Sequence, residues 1–348
     1  MLDKQEIEKN FNCWKDIEKF SGVISLSNKD EVIYEKIQGF RNRGERLPNE
    51  SDTLFGIASG TKLFTAAAIC QLIDQGKLAL DSLVWDILPY DLKVIDKGVT
   101  VFHLLTHTSG VIDYFNDDEA LGEFDDIEDY FEKYPAHKWT NLEYYLPLFC
   151  EIPNKFKPGT ETAYSNSGFI LLGLIIEKIS ELSFHEYIKK YIIEPLNLTR
   201  TGFFATNYLP FNTALGYIYD EEIDDFVSNT FLIKIIGSPD GGLYTTAKEI
   251  AMFWSGIFEK KLFSEEMVNQ LGEIYSEWKE EWGSVYFGLG VQVKEKEGAK
   301  IYYHDGWVMG VSFITMYCPQ TECALTIFGN VNVDIFAIED ELMSLLIS

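Results

Sequence analysis

Apolar residues recur at helical spacing near the start of the chain, at Ile7, Phe11, Trp14, Ile17 and Phe20, and predict a helix over 4–20. Two strand-like runs follow at 22–26 and 32–37, split by the turn-forming Ser27-Asn28-Lys29-Asp30. The run KLFTAAAICQLIDQ predicts a long apolar helix from Ser59 to Gly76, with the glycine at the position that closes it. Between 100 and 235 the pattern is mostly helical with long loops, one of them the acidic stretch 117–132. Its clearest helix covers 167–179. After Gly241-Gly242, Thr246-Ala-Lys-Glu249 reads as a capping box opening a helix over 247–258. Strand-like runs at 286–293, 300–304, 311–317 and 324–328 come next, then an amphipathic helix over 333–347. Strands at both ends with helices between them predict an α/β (α+β) fold whose sheet unites the termini. The expected domains are 1–78 with 236–348, carrying the sheet, and 79–235, all helical.

Composition narrows the function. In 348 residues, 46% hydrophobic and 15% aromatic, a sizeable core can form. A formal charge of −26 repels phosphate backbones and anionic membranes, so nucleic acid is not an expected partner. Five cysteines at 13, 70, 150, 318 and 323, with no C-x-x-C pair, fit neither a disulfide framework nor a thiolate zinc site. The first twenty residues are polar and charged with no apolar signal region, and no run reaches the roughly 18 apolar residues of a membrane span. The expectation is a soluble cytoplasmic protein, monomer favoured, with export after removal of a leader as the alternative.

Candidate chemistry sits on three short motifs. Ser59-Gly60-Thr61-Lys62 places a hydroxyl and an amine three residues apart on one helix face, at the positive end of the helix dipole. An ordinary N-cap is the plain alternative for Ser59. Ser276-Glu-Trp-Lys279 repeats the spacing without an apolar helix after it. Tyr164-Ser165-Asn166 precedes the apolar helix at 167: a phenol beside Lys62 could shuttle a proton, and the amide could orient the lysine. Tyr114-Phe115-Asn116 matches the same pattern, by accident or as a binding loop. His304-Asp305-Gly306 ends a strand-like run. Gly306 permits close backbone approach, and the N–H of Trp307 is a natural oxyanion donor. Arg200-Thr201-Gly202, in a loop, is the weaker rival. His103 and His107 stand at i, i+4, but without the glutamate of H-E-x-x-H or a nearby thiolate they point to packing or capping rather than metal.

S-x-x-K, Y-x-N and a basic-x-Gly strand, in that order, resemble the class C β-lactamase and penicillin-binding family of serine hydrolases. Four further blocks extend the resemblance: Phe55-Gly-Ile-Ala-Ser-Gly-Thr-Lys62, Leu104-Leu-Thr-His-Thr-Ser-Gly110, Phe156-Lys-Pro-Gly159 and Gly241-Gly242-Leu243. The resemblance implies a cleft between a sheet domain and a helical domain. Within it Ser59 would be the nucleophile, Lys62 and Tyr164 the acid/base pair, and Asn166 the orienting amide. Ser59 and Trp307 N–H would form the oxyanion hole, with no metal or organic cofactor, acting on a small-molecule or peptide ester or amide in the manner of a β-lactamase, a D-amino-acid peptidase or an esterase. His304-Asp305 replaces the family's Lys-Thr pair, which binds a substrate carboxylate. If Asp305 faces the cleft, a carboxylate about 4 Å away would be repelled by roughly 4 kcal/mol at an effective dielectric near 20. A protonated His304 that helps bind substrate would make activity fall as pH rises through the imidazole range. The alternative to an enzyme is a penicillin-binding sensor or a degenerate binder of the same fold.

Overall fold

Two strands from the N-terminal part, β1 (Gly22–Ser27) and β2 (Val32–Gln38), join six from the C-terminal part in one sheet. These are β3 (Ser276–Glu280), β4 (Gly283–Phe287), β5 (Gln292–Lys296), β6 (Ala299–Val308), β7 (Val311–Cys318) and β8 (Cys323–Gly329). The order is β2-β1-β8-β7-β6-β5-β4-β3, antiparallel throughout. The first strand lies directly against the last, from Gly22 opposite Gly329 to Ser27 opposite Ala324. The computed structural model describes residues 4–28, 31–115, 135–280 and 283–347, so the acidic stretch 117–132 lies outside the described residues.

All residues of β1 and β8 are buried, because helices cover both faces of the sheet centre. On one face Phe313, Tyr317 and Phe328 pack with α2 (Lys62–Asp74), α3 (Asn166–Ser180) and α4 (Ala247–Phe258). On the other, Ile24, Ile314 and Ile327 pack under α1 (Lys4–Asn12) and α5 (Glu339–Ile347). Helix α2 is buried from Lys62 to Leu72, so its apolar run has no polar face.

Several boundaries differ from the sequence expectations. Helix α1 stops at Asn12, and turns over 13–20 fold Trp14 and Phe20 together, with Trp14 Nε1 donating to Asp334 O at 2.9 Å. The run 286–293 breaks at Gly288-Leu289-Gly290, where Gly290 adopts φ +73° and donates to Leu105 O. A Cβ at Gly290 would stand 2.5 Å from Ala66, so the glycine permits this close approach to α2. The charged segment 276–280 forms strand β3, because pairing with β4 satisfies its backbone whatever its side chains prefer. A hairpin, Tyr217–Asp220 with Asp225–Ser228, lies in the stretch expected to be helical. At the C-terminus a 3-10 turn, Phe336–Ile338, precedes α5, so the helix begins later than expected.

Candidate active site

The chain enters the site through a short strand, Phe55–Gly56, paired with Tyr244–Thr245. Ala58 then takes φ +43°, a left-handed conformation that costs a non-glycine residue on the order of 1–2 kcal/mol. The turn is held by Thr61 Oγ1, which donates to Ala58 O at 2.7 Å and accepts from Leu243 N at 3.0 Å. Ser59 therefore lies in a 3-10 turn, Ala58–Thr61, immediately before α2. Its hydroxyl caps neither this turn nor α2, which removes the plain N-cap alternative.

Lys62 is completely buried, and its Nζ has three neighbours. Asn166 Oδ1 and Asp240 O each accept from it at 2.7 Å, and Ser59 Oγ is 3.1 Å away. Asn166 Nδ2 is committed to both oxygens of buried Asp113, at 3.1 and 3.0 Å, which turns Oδ1 toward the lysine. Burial lowers the Lys62 ammonium to about 8, with Asp240 and Asp113 opposing the shift.

Tyr164 hydrogen-bonds Ser59, and burial holds its phenol well above its ordinary value. Its ring stacks between His107, centroids 4.6 Å apart, and Trp278 at 5.9 Å. His107, at φ +55°, is buried and kept neutral by burial with Lys62 and His304 nearby, and its Nδ1 accepts from Ser165 N at 3.2 Å. His103 instead caps its own helix, its Nδ1 accepting from Thr100 N. The two histidines thus have packing and capping roles.

Strand β6 closes the opposite wall. Gly306 is pressed against the nucleophile's turn: a Cβ there would lie 2.3 Å from Ile57 O and 3.0 Å from Ser59 N. Gly306→Ala is accordingly expected to cost about 1–3 kcal/mol of stability, the usual range for overpacking, measurable by denaturant titration. An unchanged midpoint would mean the strand is not held this closely. His304 is 2% exposed and does not line the cavity. Its Nδ1–H donates to Asp305 O at 2.6 Å. Burial pulls its imidazole down to about 4, so the histidine is neutral through the imidazole range, and the condition that a protonated His304 binds substrate is not met. Asp305, one residue on, does line the cavity, and its carboxylate accepts from Gln292 Nε2 at 2.7 Å. Trp307, 54% exposed, sits at the cavity edge.

The cavity has a volume of about 370 Å³ and includes Ser59, Tyr164 and Asn166 in its walls. Tyr114, Lys234 and Asp240 also line it, and they form a network that the sequence motifs did not reveal. Lys234 Nζ meets both oxygens of Asp240 at 2.9 Å, Tyr114 OH at 2.6 Å and Ser238 Oγ at 2.7 Å. Tyr114 OH donates to Asp240 Oδ2 at 2.6 Å. Tyr114, the first residue of the second Y-x-N match, thus lines the cavity and reaches Lys62 through Asp240, while Asn116 lies outside the described residues. Lone charges in apolar runs, Asp113 in VIDYF and Lys234 in FLIKII, were the available signal, since a buried charge needs a partner. The rival motifs are structural. Thr201 Oγ1 and Arg200 N bond Glu249, and Ser276 Oγ donates to Thr106 O from strand β3.

Comparison with known proteins gives a consistent set of relatives. The family described as Beta-lactamase matches residues 14–345. A penicillin-binding protein from Bacillus halodurans has a solved structure 34% identical to this chain, covering 99% of both chains with TM-score 0.84. An octameric penicillin-binding protein homologue from Pyrococcus abyssi is 30% identical over 99% of this chain and 78% of its own, TM-score 0.83. A penicillin-binding protein of Bacillus subtilis (strain 168) is 25% identical over 87% of this chain and 67% of its own length. The sheet and helices described above are the β-lactamase/transpeptidase-like fold of these neighbours. Among the described residues no helix is long and apolar enough to cross a membrane.

Proposed function

The chain belongs to the Beta-lactamase family, and from that premise we propose that it is a serine acyl hydrolase that forms an acyl-enzyme at Ser59 and cleaves an ester or amide. The observation that carries this reading is the bonding of Lys62. A neutral amine has two N–H donors and one lone pair. Asn166 Oδ1 and Asp240 O, which can only accept, take the two donors, and the lone pair is left toward Ser59 Oγ. Once deprotonated, Lys62 is thus positioned as a general base for the serine.

In the proposed cycle the Ser59 proton passes to Lys62 Nζ as Oγ bonds the substrate carbonyl carbon. The backbone N–H groups of Ser59 and Trp307 receive the developing oxyanion, a kind of contact worth about 3 kcal/mol each. Tyr164 O–H gives its proton to the leaving group and regains one from Lys62, which breaks the bond to the leaving group and leaves the acyl ester. Water then attacks that ester by the reverse proton path. The raised phenol of Tyr164 suits it to donating rather than to acting as a phenolate base. All these groups come from one chain, so the chemistry needs no partner copy. Because Asp305 lines the cavity, substrates without a carboxylate at that position fit better than the carboxylate-bearing substrates implied by a Lys-Thr pair.

Incubation with acylating esters and β-lactams, followed by intact-mass measurement and peptide mapping, tests the proposal. A transient adduct on the peptide holding Ser59 is expected, and no adduct with any probe would overturn it. Tyr164→Phe should slow turnover about a hundredfold, the lower end for loss of a general acid, because Lys62 remains to activate the serine. Its acylation burst should shrink less than its steady-state rate, a split visible in stopped-flow release of p-nitrophenol.

A further inference from the structure

We propose that the cavity wall formed by Asp305 and Gln292 is an ammonium subsite, selecting substrates that carry a protonated primary amine. This deepens the serine-hydrolase reading by naming a substrate class, and its test uses binding so that the two can fail separately.

Asp305 accepts from Gln292 Nε2 at 2.7 Å, a neutral donor, and among the described residues no lysine or arginine forms an ion pair with it. That bond also fixes the glutamine. Its Oε1 is buried and takes no hydrogen bond, although the residue is 4% exposed and lines the cavity. Flipping the amide would set Oε1 against the Asp305 carboxylate, so a flip does not pair the acceptor among the described residues. An orphaned buried acceptor calls for a donor from outside.

Three features identify that donor. The adjacent carboxylate favours a cation over a hydroxyl and disfavours an anion. Glu339 lines the same cavity, and its carboxyl is raised by burial and by Asp305, although Lys294 lies 3.4 Å from it. Tyr303, Trp307 and Phe336 line the same cavity, and aromatic rings suit an ammonium. A primary ammonium has three N–H donors, enough for Asp305 and Gln292 Oε1 together. Its place is next to the reacting bond, because Asp305 adjoins the glycine that packs against Ser59 N.

The test is calorimetric titration of the intact protein with 2-phenylethylammonium, 2-phenylethanol and 3-phenylpropionate. The amine is expected to bind at least tenfold more tightly than the alcohol, and the carboxylate most weakly. Asp305→Thr, which keeps a hydrogen-bonding partner for Gln292, should abolish the preference, and the isosteric Asp305→Asn guards against a folding defect in the first variant. Equal affinity for amine and alcohol in the unaltered protein, or a preference that survives both substitutions, would overturn the subsite. Acylation by neutral p-nitrophenyl acetate reports on the hydrolase reading alone, and its failure leaves the binding result intact.

Discussion

Replacing Ser59 by alanine is expected to abolish covalent labelling and to cut turnover by about 10⁶-fold, the scale seen when a nucleophile is removed from a serine hydrolase. The size of the effect follows from how the neighbouring hydroxyls are held. Ser165 Oγ accepts from Gly168 N as the cap of α3, Ser238 Oγ donates to Asp240, and Thr61 Oγ1 is held between Ala58 and Leu243. Each is committed to the scaffold, whereas among the described residues the Ser59 hydroxyl bonds Lys62 and Tyr164. The fold should not suffer, because Ser59 caps no helix, so the melting temperature is expected to stay within a few degrees. Probe labelling of Ser59→Ala at the original rate, or an adduct mapped to another peptide, would sink the assignment.

The second large effect concerns Lys62. Lys62→Met should lower acylation by about 10⁴-fold, the upper end for loss of a general base. Lys62→Arg should not restore it, because a guanidinium stays protonated throughout. The unaltered enzyme should also show a pH signature. With the ammonium titrating at about 8, the fraction carrying a free lone pair falls tenfold per pH unit below that value. The acylation rate should therefore rise with pH through about 8 and level off above it. Tyr164, held well above its usual range, stays protonated and adds no descending limb there. His304, titrating at about 4, adds no step in the imidazole range, which reverses the fall in activity that a cationic histidine would have produced. A flat profile from pH 6 to 9.5 would remove Lys62 as the base.

The sheet, its assembly from both ends of the chain, and the grouping of residues 59, 62, 164, 166 and 306 could be read from apolar periodicity and motif order. What escaped is physical in origin. Strand β3 carries a charged sequence with no strand pattern and is strand because β4 supplies its hydrogen-bond partners. Asp240 sits in Pro-Asp-Gly-Gly, which reads as a turn, yet its backbone carbonyl fixes the lysine and its carboxylate pairs with Lys234. Gln292 carries no motif at all. Its importance arises from register, which sets it opposite Tyr303 at the last paired position of β5 and β6. Whether Asp305 faced the cleft depended on the phase of the strand, and a one-residue slip would have exchanged it with His304.

The pairing of β1 with β8 has a consequence for the order in which the molecule forms. Gly22 leaves the ribosome some three hundred residues before Gly329, so the nascent chain holds a central strand with one neighbour missing until that last strand has been made. Such distant pairing closes late and slowly. The wall at Gly306 belongs to the same late-arriving segment, so the nucleophile's turn meets its facing strand only after Val308 has been made, and a shorter nascent chain has no working pocket.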